Sequence, residues 1–234
     1  GWQNLTWQKD LDFDAPTSKW GYADDVMADY YFDQLMKLVS KYRFDGQNYL
    51  AGWLTLSSHE PFEVPYSKFD DKILNAAAFT DNQIGTLIQR LKESPAWDNL
   101  LIILIADHSY TWPLGIGYNT PERHHIPMIW CGGAIRQPLV IDTYCSQIDL
   151  AATLFTQMGI DHSDFIFSKD ILSPDYPHFG YYCFNDGFGI LYPEGHIIWD
   201  NTPNRILSSQ NPDSLYLTHG KALLQQTYKD IRSR

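Results

Sequence analysis

Leu100-Leu101-Ile102-Ile103-Leu104-Ile105-Ala106 runs without a polar residue and stops at Asp107-His108. A short apolar run rich in β-branched residues and bounded by polar ones reads as a strand buried on both faces. In open α/β sheets, ligands sit beyond the carboxyl ends of such strands. Asp107 and His108 therefore stand where a site is expected. Both are ligand types for a divalent metal, one through oxygen and one through nitrogen. A strand-end Asp also serves as a helix or turn cap, so the pair alone leaves both roles open.

The elements on either side extend the pattern. A helix is predicted from about Asp24 to Tyr42, with Leu35, Leu38, Val39 and Tyr42 on one face. Asn48 to Ser57 (NYLAGWLTLS) reads as a strand, followed by His59-Glu60-Pro61-Phe62 in a loop. A second helix is predicted from Asp71 to Lys92, with a stripe of Ile84, Leu87, Ile88 and Leu91 and Pro95 beyond its end. Residues 107–123 form a long loop, and long loops inside compact domains are often functional. Ile126 to Trp130 is a third strand. Ser146 starts a third helix with Asp149 in capping-box spacing; Ala151, Leu154, Phe155 and Met158 form its inner face and Gly159 ends it. This order implies an α/β fold, a mostly parallel sheet flanked by helices. After about residue 160, short aromatic strands such as Gly180 to Phe184 and Gly189 to Tyr192 alternate with Asn/Asp/Gly turns. They predict a small antiparallel meander, and a last helix covers Ser214 to Arg232. The expected division is 1–160 and 161–234.

Composition narrows the function classes. At 234 residues and 44% hydrophobic content, the chain can bury one substantial core with a small appendage. A net charge of −11 without a basic stripe argues against a nucleic-acid partner. An anionic substrate then needs local positive charge, which a metal could supply. The 8 Trp and 15 Tyr suit sugar or lipid head-group handling, and equally suit core packing. No run of about 18 apolar residues spans a membrane, and no signal peptide is present. The chain opens on Gly1-Trp2 and is expected to be a piece of a longer protein. Cys131, Cys145 and Cys183 match no zinc or disulfide framework and are expected to be free, buried thiols.

Three loops expected at one sheet edge carry histidines: His59 after the first strand, Asp107-His108 after the second, and His124-His125 ahead of the third. The same segments resemble a known family. Leu54-Thr55-Leu56-Ser57-Ser58-His59-Glu60-Pro61-Phe62 resembles the "TLSxHxPF" segment of lipoteichoic acid synthase-type enzymes, within the alkaline phosphatase/sulfatase superfamily. Ala106-Asp107-His108-Ser109 resembles that superfamily's "(S/G)DHG" metal motif. Arg123 to Trp130 resembles the "xxxPLI" strand, Trp20-Gly21-Tyr22-Ala23-Asp24 the "WGxxD" helix start, and Gln147 to Leu154 the "xxDIxPTLL" helix. The motifs follow in family order across about residues 20–160. No motif covers the tail.

The resemblance implies a partial alkaline-phosphatase-like domain, the C-terminal half of a catalytic domain, in which Asp107 and His108 bind one divalent metal (Mn, Mg or Zn, with Ca if sulfatase-like). His59 contacts the substrate phosphate or the leaving group, and His125 and, more weakly, His124 are further substrate contacts. The family nucleophile, a Thr, and a further acidic metal ligand belong to a segment absent from this chain; Thr55, inside a predicted strand, is a packing residue. Ser109 stands where Gly is usual, which tightens the loop. The implied parent is an extracytoplasmic phosphoglycerol- or phosphoethanolamine-type transferase of the cell envelope, anchored by N-terminal transmembrane helices. Its substrate is a phospholipid head group or another phosphate or sulfate ester. Two alternatives stay open: a sulfate-ester or phosphodiester hydrolase of the same superfamily, and a non-catalytic glycan-binding module built on Trp53, Trp112 and Trp130. The chain alone is expected to show no turnover. Half a sheet leaves an open edge, so it is expected to pair with the N-terminal half of its parent, to form a homodimer, or to cover that face with its own N-terminal residues.

Overall fold

Two acidic residues open the first helix, α1 (Asp24–Tyr42), where the helix dipole favours them. The computed structural model describes residues 2–42, 46, 48–112 and 115–234. The side chain of Tyr42, expected on the inner face of α1, lies outside the described residues, as do positions 113 and 114 of the long loop. Two compact units make up the chain. One takes residues up to Ile102 together with Trp130–Arg136; the other takes Ile103–Ile129 and Gln137–Arg234.

In the first unit, α1 packs on α2 (Lys72–Lys92). Asp71 caps α2 by accepting from the backbone N–H of Ile73 at 2.7 Å. The buried stripe of α2 is Ala76, Phe79, Thr80, Leu87 and Leu91, at helical spacing. Leu87 and Leu91 were expected there; Ile84 and Ile88 are only half-buried. Arg90 of α2 lies 4.0 Å over the Phe32 ring and reaches Asp29 of α1 at 2.5 Å.

The run predicted as a strand over 48–57 has strand composition but joins no ladder among the described residues. It is instead held by side chains. The Trp2 indole lies against Gly52, where a Cβ would meet the ring at 3.1 Å. N-terminal cover of this segment is thus present but partial, since Leu50 and Leu54 remain exposed. The other two predicted strands form: β1 (Ile102–Ile105) and β2 (Met128–Cys131) pair as a two-stranded sheet. The four-residue helix α3 (Pro121–His124) lies between them in sequence.

In the second unit, a 3-10 turn at Gln147–Asp149 leads into α4 (Leu150–Met158), and Gly159 ends the helix at φ 65°. The inner face of α4 differs from expectation. Ala152 and Thr153 are fully buried, whereas Met158 is exposed. The cause is polar: Thr153 Oγ1 donates to the Asp149 carbonyl at 2.7 Å and accepts from Ile171 N–H at 3.0 Å, which turns that face inward. Asp149 is wholly buried. Its carboxylate accepts from Ser146 N–H (2.8 Å), Lys169 N–H (3.0 Å), Lys169 Nζ (2.7 Å) and the Tyr176 hydroxyl (3.0 Å). Burial, and then the neighbouring carboxylate, push the Tyr176 phenol far above its ordinary range.

The tail forms the predicted meander: β3 (Gly180–Phe184), β4 (Gly187–Tyr192), β5 (Gly195–Asp200) and β6 (Arg205–Gln210), antiparallel in chain order, then α5 (Ser214–Ser233). Alternation places Phe188, Ile190, Ile197 and Trp199 in one core with Phe179, and Leu217, Leu223 and Leu224 of α5 pack against it. The three cysteines are free, as expected, but none is fully buried: Cys131 and Cys145 are half-buried, and Cys183, on the edge strand β3, is exposed. Among the described residues no helix is long and apolar enough to cross a membrane.

Gly220 sets the approach of α5 to the sheet, since a Cβ there would fall 2.1 Å from the Phe188 ring. Gly220→Ala adds about 1 kcal/mol of helix propensity, but overpacking against an immobile buried ring costs about 3 kcal/mol. The net loss is about 2 kcal/mol in denaturant unfolding; an unchanged midpoint would contradict the packing described. His219 on the same helix sits edge-on to Phe179 at 4.6 Å and takes a hydrogen bond from the Tyr192 hydroxyl. Burial, and then Lys169, lower its pKa from the ordinary 6.5. The folded state therefore favours the neutral ring, and its contribution is complete above about pH 6.5 and is lost as pH falls through the lowered folded value. Between pH 7.5 and 5.5, Tm should fall further in the wild-type chain than in His219→Gln; parallel Tm curves would rule this out.

Candidate active site

The Asp107-His108 turn closes on itself. Asp107 Oδ1 accepts from His108 N–H at 2.8 Å. His108 Nδ1 lies 2.9 Å from the Ser109 carbonyl, which can only accept, so Nδ1 carries the proton and Nε2 presents its lone pair. Asp107 Oδ2 and His108 Nε2 then face one another at 3.6 Å, with both side chains about two-thirds exposed. Two ligands each about 2.1 Å from one tetrahedral or octahedral metal stand roughly 3–3.5 Å apart. The pair thus fits as two donors to a single divalent ion with a small adjustment. Among the described residues no third His, Cys, Asp or Glu joins them.

Three contacts hold this turn from behind. Gln147, at the start of the turn into α4, donates from Nε2 to the Ala106 carbonyl at 2.7 Å and to the Asp107 carbonyl at 3.4 Å. The Arg123 guanidinium donates to the Ser109 carbonyl and, at 2.7 Å, to Ser109 Oγ; Ser109 Oγ–H in turn donates to the Arg123 carbonyl. The hydroxyl that replaces the usual Gly therefore ties the two ends of the 107–125 loop together. Third, the loop rests on the meander. His124 stacks on Tyr182 at 4.0 Å and 14°, its Nε2 donates to the Tyr118 carbonyl at 3.0 Å, and the Tyr182 hydroxyl donates to the Asn119 carbonyl at 2.9 Å. Tyr182 lies flat across Gly189, its register partner, where any Cβ would strike the ring at 2.1 Å. Burial, and then the Arg123 charge, lower the His124 pKa. His124 is thus half-buried and engaged in packing, whereas His125, one residue on, is exposed.

His59 belongs to the first unit, apart in that division from the other four candidates. Its position follows from Asp24, which is 1% exposed. The Asp24 carboxylate accepts from Leu56 N–H (2.8 Å), Ser57 N–H (3.1 Å) and Thr80 Oγ1 (2.8 Å), and Asp24 N–H donates to Ser57 Oγ at 2.8 Å. The segment so fixed makes the turn in which His59 N–H donates to the Leu56 carbonyl at 3.1 Å. The His59 ring is exposed, lies 4.0 Å from the Trp20 ring, and has Nδ1 3.3 Å from the Glu60 carbonyl. Asp24, Trp20 and Gln147 stood in the quoted motifs, but sequence reasoning assigned them no task; their spacing from the histidines carries no sign of contact.

Removing the Asp24 carboxylate leaves three donors without an acceptor, each worth about 1–3 kcal/mol when buried. Asp24→Ala should lower unfolding free energy by about 3–5 kcal/mol. A loss under about 1 kcal/mol by urea titration would contradict its role in fixing the 54–59 segment.

Comparison with known proteins follows the same residues. A family model described as Sulfatase matches residues 1–160. Phosphoglycerol transferase I of Xanthomonas campestris pv. campestris is 24% identical over 207 residues, 81% of this chain and 28% of that protein. Lipoteichoic acid synthase 2 of Bacillus subtilis is 23% identical over 155 residues, 56% of this chain and 24% of that protein. The chain thus spans about a quarter of the length of these curated relatives. A crystal structure of a protein in the alkaline phosphatase superfamily from Vibrio parahaemolyticus superposes with a TM-score of 0.74 at 21% identity, covering 95% of this chain and 58% of that one. The fold is the α/β fold of that superfamily, with a small antiparallel four-stranded sheet at the C-terminus.

Proposed function

The chain belongs to the sulfatase family, and from that premise we propose that it supplies one part of the active site of a phosphoglycerol- or phosphoethanolamine-type transferase acting on phosphodiesters. Members of the family are enzymes, and the relatives above are named as a transferase and a synthase. The observation that carries the reading is the Asp107-His108 pair, which offers Oδ2 and Nε2 to one point while a backbone carbonyl fixes the imidazole tautomer.

Asp107 and His108 hold a divalent ion of the Mn, Mg or Zn class, with Ca suited to a sulfatase-like site. When bound, that ion lowers the pKa of a nucleophile and offsets charge developing on phosphate oxygens. Gln147, Ser109 and Arg123 keep the two donors in place. His59 hydrogen-bonds the phosphate or the leaving oxygen, and the Glu60 carbonyl decides which of its nitrogens does so. The carbonyl takes the Nδ1 proton whether or not the ring is charged, so Nε2 is the atom that gains and loses the working proton. His125, exposed beside the loop, is a further substrate contact, and His124 serves mainly to seat the loop on Tyr182. The Thr nucleophile and the remaining acidic ligand come from the parent protein outside this chain. Residues 1–160 are the contribution to the catalytic domain, 161–234 the β subdomain that supports its loop, and the location is extracytoplasmic. Transfer to an alcohol is favoured over hydrolysis by the relatives' names.

Metal binding tests the site. With ring-nitrogen-labelled histidines, Mn²⁺ should broaden His108 first, with weak affinity because two donors stand together among the described residues, and Asp107→Asn should abolish the effect. An unaffected His108 would overturn the metal site.

A further inference from the structure

We propose that Trp20 is a positioning residue for His59, an inference that rests on the role given to His59 above. The geometry is a clamp built on one acceptor. The Glu60 carbonyl takes the Trp20 Nε1–H at 2.6 Å and the His59 Nδ1–H at 3.3 Å. The two rings are in contact, centroids 4.0 Å apart and tilted by 44°. Trp20 is itself fixed at its backbone, where its N–H donates to Ser18 Oγ at 3.1 Å, and the Ser18 N–H and Oγ–H both donate to the Gly21 carbonyl. The indole nevertheless stays 41% exposed. A large aromatic ring held in the open by a short polar contact, on a loop next to a candidate catalytic group, is not accounted for by core packing.

The clamp does two things that the short His59 side chain cannot do for itself. It restricts rotation about the Cβ–Cγ bond, because the imidazole lies 4.0 Å from the indole while its Nδ1 is 3.3 Å from the Glu60 carbonyl. It also fixes the tautomer, because a carbonyl beside Nδ1 excludes the Nε2–H neutral form. Together these leave Nε2 as the outward nitrogen. Lys19 Nζ lies 4.8 Å from the centroid of the same indole, which places a cation suited to an anionic ester on that loop. The first unit contains every group of this arrangement.

The test reads the imidazole directly, independently of turnover. Long-range ¹H–¹⁵N correlation spectra of the 234-residue chain at alkaline pH should show His59 as a single Nδ1–H tautomer with upfield, ring-current-shifted carbon-bound protons. In Trp20→Leu the upfield shift should vanish and the two nitrogens should move toward averaged values. Trp20→Phe, which keeps a ring but lacks the indole N–H, should retain part of the shift and covers the case in which the leucine variant fails to fold. Unchanged His59 nitrogen and proton shifts in either folded variant would overturn the proposal. In the longer parent enzyme, Trp20→Leu should lower kcat by roughly 10- to 100-fold with little change in KM, the pattern of a misplaced rather than a missing group. If His59→Ala leaves parent turnover intact while the spectra behave as described, the role of His59 fails and the clamp stands. If the spectra do not change while His59→Ala is inactive, the clamp fails and the role stands.

Discussion

A carboxylate taken wholly out of water must have every lone pair answered, and Asp149 is where this chain meets that demand. Its donors come from the turn before α4, from Lys169 backbone and side chain, and from the Tyr176 hydroxyl. These groups are spread over three stretches of sequence, and only one arrangement of those stretches satisfies the acid. Breaking such a buried pair costs several kcal/mol, because one charge is left without solvent or partner. The consequence runs outward. The turn that Asp149 holds also carries Gln147, and Gln147 holds the backbone of Ala106 and Asp107. The distance from a buried structural acid to an exposed candidate ligand is thus a single side chain.

Asp24 does the same work in the first unit by different means. Among the described residues its carboxylate is met by two backbone N–H groups and a threonine hydroxyl rather than by a cation. The backbone it captures is the strand-like run that finds no ladder among the described residues, so a side chain replaces the sheet as the element that fixes the His59 loop. Each of these two motif acids is therefore spent inside its own unit, Asp24 on the 56–57 backbone and Asp149 on the turn before α4. The acid that offers a free oxygen outward, Asp107, belongs to an exposed turn.

The candidate histidines differ in what their second nitrogen does. In His108 and His59 a backbone carbonyl takes Nδ1–H and leaves Nε2 outward. In His124 the carbonyl takes Nε2–H instead, and a tyrosine covers the ring face. Residue type alone could not separate these cases, because the separation rests on which carbonyl comes within about 3 Å.

Much of the fold was legible from periodicity. Both long helices, the Leu100–Ala106 strand, the aromatic meander and the last helix all follow from apolar spacing and turn residues, which are local and survive any packing. The strand expected to be buried on both faces is only half-buried along its length, and Asp107 and His108 follow directly beyond its end. Other features were decided only by tertiary structure: the missing ladder at 48–57, the inward turn of Thr153 in place of Met158, the seating of His124 on Tyr182, and the use of Asp24, Gln147 and Trp20. Each depends on at least one hydrogen bond or ring contact between residues 18 to 58 positions apart. A sequence pattern records what a residue can do, and only the folded chain decides which distant partner comes close enough for it to be done.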